Sequence, residues 1–173
     1  MRLHYLAIGL LATAMTSSAF AQQAASPAAA SGVAFMSDAD IMSLIDKAKA
    51  DLKKDAPLVS EPILSLAPYR ASLEYRPGTS AASIHEKDAE LLVVLQGTGD
   101  IVTGGKLVDE ERRNASNLSG PSIDGGDTQA VAKGDMTFVA AGVPHQIIPT
   151  GGQPIVLMTL HVPYPPTGWP PAK

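Results

Sequence analysis

The segment Ser83-Ile84-His85-Glu86-Lys87-Asp88-Ala89-Glu90 (SIHEKDAE) carries one of the chain's four histidines, with a glutamate five positions later. A turn over residues 86–89 would make His85 the end of one strand and Glu90 the start of the next. Facing residues on paired strands hold their Cβ atoms ~4.5–5.5 Å apart and point to the same side. Ser83 would point there too. The segment thus predicts a hairpin with a hydroxyl, an imidazole and a carboxylate on one face. A plain hydrogen-bonded cross-strand pair is the alternative.

The sequence around this segment has the pattern of an all-β domain. From residue 57 onward, short runs rich in Val, Ile, Leu, Thr and Tyr are separated by Gly and Pro. These runs cover residues 63–66, 69–76, 90–97, 99–104, 128–132, 136–141, 145–150 and 154–162. Several short strands with turn signals between them predict a β-sandwich or a β-barrel. The polar, Gly-rich stretch 106–127 predicts a long excursion between strands.

The N-terminal residues have the features of a cleaved secretory signal. Arg2 gives a positive start, and the apolar run 6–15 is shorter than the ~20 residues that a spanning helix needs. Small residues follow at Ala19 and Ala21, as a signal peptidase requires. We therefore predict a signal peptide over residues 1–21 and a periplasmic or secreted protein. A retained membrane anchor is the alternative.

The rest of the chain divides into four predicted parts. Residues 22–36 are small and without periodicity, which indicates a flexible leader. Residues 37–54 predict an amphipathic helix, because Ser37 can cap it and apolar side chains recur at helical spacing behind it. Residues 57–165 form the predicted β-barrel. Residues 166–173 form a proline-rich tail.

Composition excludes several classes of function. The formal net charge is −4 and no basic run occurs, which argues against a nucleic-acid partner. No cysteine is present, so neither disulfides nor thiolate chemistry can contribute. After removal of the signal peptide, nothing in the sequence predicts a membrane partner.

The run 90–97 is apolar on both of its faces. Leu92 and Val94 lie on the side of Glu90, whereas Leu91, Val93 and Leu95 alternate with them. A strand that is apolar on both faces is covered on both faces. One face would line the barrel interior, together with Phe138 and Ile147. The other needs the 37–54 helix or a second subunit, and with a second subunit the protein would be the homodimer that we predict.

A second segment, KGDMTFVAAGVPHQ (133–146), has a turn at its start, a strand, a Gly-Val-Pro turn and then His145. The two segments together resemble the two motifs of the cupin family. Matching residues in order and spacing are His85, Glu90, Gly97, Gly134, Gly142 and His145. Three positions depart from the family pattern: Ser83 replaces a histidine, Ala140 a proline and Pro149 an asparagine. The resemblance covers about residues 60–163.

The cupin resemblance implies an antiparallel jelly-roll β-barrel with a site inside it. It assigns metal-ligand roles to His85, Glu90 and His145. Two histidines and one carboxylate suit non-haem Fe(II), with Mn, Ni, Co and Zn also possible. Ser83 either holds a water or a ligand at the vacant position, or it marks a site that no longer binds metal.

Three further residues have open interpretations. His161 is either a half-buried imidazole at the barrel mouth, or a fourth ligand or acid/base group. Arg70 either binds an acidic substrate in bidentate fashion or forms an outward ion pair. Tyr75 either donates a proton in the site or packs in the core.

Two functional hypotheses follow. The first is a periplasmic metal-dependent enzyme of the dioxygenase, isomerase or lyase type, acting on a small organic molecule inside the barrel. The second is a non-catalytic small-ligand-binding module, with or without metal. A metal that only stiffens the barrel is a third possibility. The apolar residues expected inside the barrel indicate a ligand with an apolar or aromatic part.

Overall fold

The computed structural model of the chain describes residues 34–164. The predicted signal peptide 1–21, residues 22–33 of the predicted leader and the predicted tail 166–173 lie outside this range. Residues 34–164 contain one helix and thirteen strands. Among them, no helix combines the length and the apolar character that a membrane crossing requires.

The helix α1 (Asp38–Asp51) begins with a reciprocal cap. The Ser37 hydroxyl accepts a hydrogen bond from the backbone N–H of Asp40 at 3.2 Å, and the Asp40 carboxylate accepts one from the backbone N–H of Ser37 at 3.1 Å. This pair satisfies two of the backbone donors that a helix start leaves free. The helix ends at Asp51, because Leu52 is already extended, with φ −60° and ψ 113°.

The strands form two antiparallel sheets and one small ribbon. They are β1 (Val59–Leu66), β2 (Tyr69–Arg76), β3 (Ala82–His85), β4 (Asp88–Gln96), β5 (Thr98–Thr103), β6 (Lys106–Leu107), β7 (Glu111–Arg112), β8 (Asn117–Gly120), β9 (Ile123–Asp124), β10 (Asp127–Ala132), β11 (Met136–Val139), β12 (His145–Pro149) and β13 (Ile155–Pro163). The first sheet has the order β1-β2-β13-β4-β11, the second has the order β10-β5-β12-β3-β8-β7, and β6 pairs with β9. Neither sheet closes on itself within residues 34–164.

The two sheets pack face to face around one apolar core. The first sheet contributes Leu92, Val94, Val139, Ile155 and Leu157, and the second contributes Ile101, Val131 and Ile147. All eight side chains are buried. The predicted all-β character is confirmed, and the layered antiparallel architecture is consistent with the expected jelly roll.

The stretch 106–127 is not the strand-free excursion that its polarity predicts. It contains four short strands, of which β8 pairs with β3 along its whole length. Buried Ser119 anchors this pairing, since its hydroxyl donates to the carbonyl oxygen of Ala82 at 3.0 Å. Polar side chains can occupy such short strands because only one residue in two faces the core.

A second core lies on the outer face of the first sheet, beneath α1. Ile45 and Ala48 of the helix are 1% and 0% exposed and pack with Ile63, Leu73 and Val156. Leu95, on the outer face of β4, belongs to the same cluster. The helix therefore covers part of the face for which the sequence allowed either a helix or a second subunit.

Phe138 does not line the interior, contrary to the sequence-based expectation. It is 62% exposed and lies opposite Leu91 on the outer face of the β4–β11 pair. The next residue, Val139, faces the core instead. Because strand side chains alternate, one of two adjacent apolar residues must point outward. Met136 and Phe138 are exposed and form an apolar surface that α1 does not cover. A second subunit could bind there, and the homodimer stays a prediction.

We expect Ile45→Ala to lower the free energy of unfolding by ~2–4 kcal/mol, because it leaves a cavity in the core beneath α1. Met42→Ala, on the exposed side of the same helix, should cost less than ~1 kcal/mol. Urea denaturation followed by circular dichroism measures both. Equal losses in the two variants would contradict the packing of α1 on the sheet.

Candidate functional site

His85 and Glu90 come from different sheets and not from one hairpin. Strand β3, which ends at His85, bonds to β8 and β12, whereas β4, which contains Glu90, bonds to β13 and β11. Glu86 and Lys87 carry the chain across from one sheet to the other. The predicted cross-strand pairing is therefore wrong, because each strand finds its hydrogen-bond partners elsewhere. The two side chains meet nonetheless, with 3.4 Å between His85 Nε2 and Glu90 Oε2.

Three residues of the first sheet form a row that leads to the site. In the β2–β13 pairing Arg70 lies opposite His161, and in the β13–β4 pairing His161 lies opposite Glu90. Directly opposite residues point to the same face. Glu90 is only 4% exposed, so its carboxylate lies between the sheets. The Nε2 atom of His161 is 3.5 Å from Glu90 Oε1.

His145 enters from the second sheet. It opens β12 directly opposite Ser83 on β3, after a turn in which Gly142 has φ +79°. The backbone N–H of Gly142 donates to the carbonyl oxygen of His85 at 2.8 Å and so ties this turn to β3. His145 is buried, and its Nε2 atom lies 3.0 Å from Glu90 Oε2.

Three imidazoles thus converge on one buried carboxylate. The Oε2 atom faces His85 and His145, and Oε1 faces His161. His85, Glu90 and His161 each offer one donor atom such that all three atoms lie within 4.8 Å of one another. His145 is not part of that group, although its Nε2 atom makes the shortest of the three contacts to Glu90. The assignment of His85, Glu90 and His145 as metal ligands stays a prediction.

The second ring nitrogen distinguishes the three histidines. His85 Nδ1 is 2.9 Å from Asn117 Oδ1, and His145 Nδ1 is 3.3 Å from the carbonyl oxygen of Val143. Both partners are acceptors, so Nδ1 of each ring donates to them and Nε2 faces Glu90. Nε2 donates to the carboxylate when the ring is protonated and offers a lone pair to an ion when the ring is neutral. His161 Nδ1 is buried and has no hydrogen-bond partner among the described residues.

Thr159, two residues before His161 on β13, also has a side-chain atom that lacks a hydrogen-bond partner among the described residues. Its Oγ1 atom is buried without a hydrogen-bond partner in residues 34–164, and the residue is 0% exposed. Residues two apart on a strand point to the same face, so Thr159 and His161 face the space between the sheets. Such buried polar atoms are groups whose hydrogen-bonding capacity the described residues leave unused.

The electrostatics of the cluster favour an ionised carboxylate. Burial alone would raise the pKa of Glu90, but the hydrogen bonds from His145 and His85 outweigh it and hold that pKa far below its ordinary value. Burial lowers the pKa of His161, against the opposing charge of Glu90. Burial also opposes protonation of His85, yet its bonds to Glu90 and Asn117 leave the pKa of His85 raised.

A cavity of about 300 Å³ opens beside the histidines. Its lining residues are all polar: Arg70, Ser72, His85, Asp88, Asn117 and His161. The apolar residues that suggested an apolar or aromatic ligand, Leu92, Val94 and Ile147, are packed in the core between the sheets instead. The cavity therefore suits a small polar ligand.

Arg70 and Tyr75, the remaining sequence-based candidates, lie on opposite faces of β2. Arg70 lines the cavity and donates to Asp88 at 3.3 Å, so it forms an ion pair and also faces the ligand space. Tyr75 packs in the cluster beneath α1, on the other face of β2, and the structure does not bring it to the site. Sequence reasoning missed Asn117 as the partner of His85. It lies in the stretch 106–127, which carried no strand pattern.

The chain gives no match to protein-family models and none to curated proteins. Solved structures do match. A protein with a double-stranded β-helix domain from Klebsiella pneumoniae has 14% sequence identity and a TM-score of 0.50, covering 69% of this chain and 86% of that chain. This similarity supports the fold alone.

Cupin proteins are also among the structural neighbours. The cupin domain of Cnp3 from Schizosaccharomyces pombe has 13% identity and a TM-score of 0.47, covering 66% of this chain and 71% of that chain. A cupin 2 conserved barrel domain protein from Salinispora arenicola has 14% identity and a TM-score of 0.45, covering 65% and 82%.

Proposed function

We propose that the protein binds one divalent transition-metal ion through Glu90, His85, His145 and His161, and acts as a metal-dependent enzyme on a small molecule in the adjacent cavity. The observation that carries this proposal is the convergence of three imidazole Nε2 atoms on the oxygens of one buried carboxylate, at 3.0–3.5 Å. Reactions of the dioxygenase, isomerase and lyase types are all compatible with such a site.

The three nitrogen–oxygen distances match those between neighbouring ligands of a single ion. With metal–ligand bonds of 2.0–2.2 Å, neighbouring donors in tetrahedral or octahedral geometry lie ~2.8–3.6 Å apart. All three Nε2–oxygen distances fall in this range. Those of His85 and His161 exceed the usual 2.7–3.2 Å of an N–H···O hydrogen bond, so the hydrogen bonds that these two histidines make to Glu90 are long and weak.

The chain's own residues prepare the donors for such an ion. Asn117 and the Val143 carbonyl orient His85 and His145 with Nε2 toward Glu90. Nitrogen and carboxylate donors without thiolate suit Fe, Mn, Zn or Ni. A bound ion would polarise a ligand oxygen or activate a bound water. His161 is the one of the three imidazoles whose Nδ1 has no acceptor among the described residues, so the protein orients this ring less firmly than those of His85 and His145.

A binding module without turnover is the second candidate. It is favoured by the ion pair between Asp88 and Arg70, because Asp88 is the one carboxylate among the described residues that line the cavity and it is already engaged. Screening the metal-loaded protein for turnover of small polar acids and alcohols distinguishes the candidates. Binding without product formation across the panel would favour the module.

We expect purified protein to contain about one metal ion per chain by elemental analysis. Glu90→Gln and His85→Ala should remove it, because each deletes a donor that every alternative ligand set shares. His145→Ala and His161→Ala should each weaken binding by roughly tenfold or more, since two nitrogens and a carboxylate remain.

The matched control is Glu86→Gln, an exposed neighbour in the same segment that pairs with Arg112 and should retain metal. If His161→Ala leaves affinity unchanged while His145→Ala abolishes it, the smaller set predicted from the sequence is correct. Unaltered metal content in all four variants would refute the site.

Asn117→Ala should lower metal affinity by ~10–100-fold without changing stoichiometry, because His85 loses the acceptor that orients it. Asn117→Asp should restore most of the loss, since a carboxylate also accepts from Nδ1–H. Asn114→Ala, at an exposed position three residues earlier, is the control. Competition with a chromogenic chelator measures the affinities, and equal affinity in all variants would contradict the role of Asn117.

We further propose a periplasmic or secreted location, on the basis of the N-terminal pattern. Expression of the full chain in a Gram-negative host should yield a mature protein that begins at Gln22. N-terminal sequencing of the periplasmic fraction checks this. Recovery in the cytoplasm with Met1 intact would count against export.

A further inference from the structure

We infer that the cavity binds a small monocarboxylate whose carboxylate group rests on Arg70 while a second oxygen points toward His161 and Glu90. This inference deepens the proposed function, because it assumes the metal site and names the chemical class of its ligand. Four observations support it: the position of Arg70, its free donors, the charge of the site and the polarity of the cavity.

The position of Arg70 is fixed by strand pairing. Arg70, His161 and Glu90 are directly opposite one another on the neighbouring strands β2, β13 and β4. Glu90 lies at the buried end of this row, and the Arg70 side chain is 66% exposed at its open end. A ligand that reaches the ion from solvent would therefore pass Arg70, which lines the cavity together with His161.

Most N–H donors of the Arg70 guanidinium have no acceptor among the described residues. Arg70 makes one hydrogen bond among the described residues, a long contact of 3.3 Å from one terminal nitrogen to Asp88 Oδ2. A guanidinium carries five N–H donors in a planar fork that matches a carboxylate in bidentate geometry. By contrast, Arg76 engages Glu74 through two nitrogens, at 2.9 and 2.5 Å, and also contacts Ser80. Asp88 thus contacts one nitrogen of the Arg70 guanidinium, and the other N–H groups have no partner among the described residues.

The charge of the metal-loaded site favours a single negative charge. A divalent ion and Arg70 together exceed the charges of Glu90 and Asp88 by one positive unit when the three histidines are neutral. A monoanion neutralises this surplus, whereas a cation would add to it and a dianion would reverse it.

The volume of the cavity and the polarity of its lining residues limit the size and polarity of the rest of the ligand. About 300 Å³ lies at the small end of the range for ligand sites. Ser72 and Asn117 add neutral polar groups to the lining. An acid of a few carbons that carries a hydroxyl or carbonyl group would satisfy these groups, whereas a bulky apolar or aromatic acid would not.

The test is calorimetric titration of the metal-loaded protein with glycolate and 3-hydroxypropanoate, and with their primary amides. Each amide has nearly the shape of its acid but no charge. We expect wild type to bind at least one acid about tenfold more tightly than its amide, the loss typical of one charge-assisted contact. In Arg70→Gln this preference should fall to within about twofold, and Arg70→Lys should be intermediate because it keeps charge without the fork.

Two variants separate ligand binding from a purely structural role of Arg70. Asp88→Asn removes the group that competes for the guanidinium, so acid binding should tighten about threefold while amide binding is unchanged. Arg113→Gln removes a comparably exposed arginine, paired with Glu111 and absent from the cavity lining, and should behave as wild type. If Arg70 only stabilised the fold through Asp88, Asp88→Asn would not tighten binding, and the inference would be overturned.

Metal content, measured for every sample, keeps the two proposals apart. A preference for acids that survives Arg70→Gln in metal-loaded protein overturns the carboxylate site and leaves the metal site intact. The same holds if neither acid binds metal-loaded wild type at millimolar concentration. Failure of wild type to take up any metal overturns the proposed function itself.

Discussion

The packing of the two sheets depends on one buried carboxylate, that of Glu90, which side chains from both sheets contact. Glu90 is 4% exposed, and an ionised carboxylate at such a depth is costly unless it is compensated. His161 compensates it from the same sheet, whereas His85 and His145 do so from the opposite sheet. At the histidine-bearing end of the molecule, the distance between the two sheets is thus set by the contacts of Glu90 with the three histidines. A change in how the sheets pack would separate the donors and leave a buried charge unpaired.

The rest of the fold keeps this polar end in place. Eight buried apolar side chains hold the sheets together beyond the histidines, and α1 reinforces the first sheet from outside. The short segment between β3 and β4 crosses from one layer to the other, so His85 and Glu90 are close in sequence and also opposite in space. The turn before β12 bonds to the His85 backbone, which couples the approach of His145 to that of His85.

Much of this arrangement could be predicted from the sequence, and the failures have physical causes. Alternating apolar residues and Gly-Pro punctuation located the main strands, and the resemblance of two segments to the cupin motifs predicted that His85, Glu90 and His145 lie together. Strand partners are not encoded in local pattern, so β3 and β4 were wrongly paired. Asn117 was missed because four-residue strands of polar sequence carry almost no periodic signal. Phe138 was misplaced because the adjacent Val139 is equally apolar, and only the register decides which of them faces inward.

Ser83 stands where the cupin pattern that the sequence resembles has a histidine. Ser83 lies opposite His145 on the second sheet, so a histidine there would bring a third imidazole from that sheet. In this chain the third imidazole, His161, approaches from the first sheet, directly opposite Arg70 on the neighbouring strand. The first sheet thus carries both His161 and the Arg70 guanidinium, so a ligand bound as we propose would have its negative charge next to this sheet.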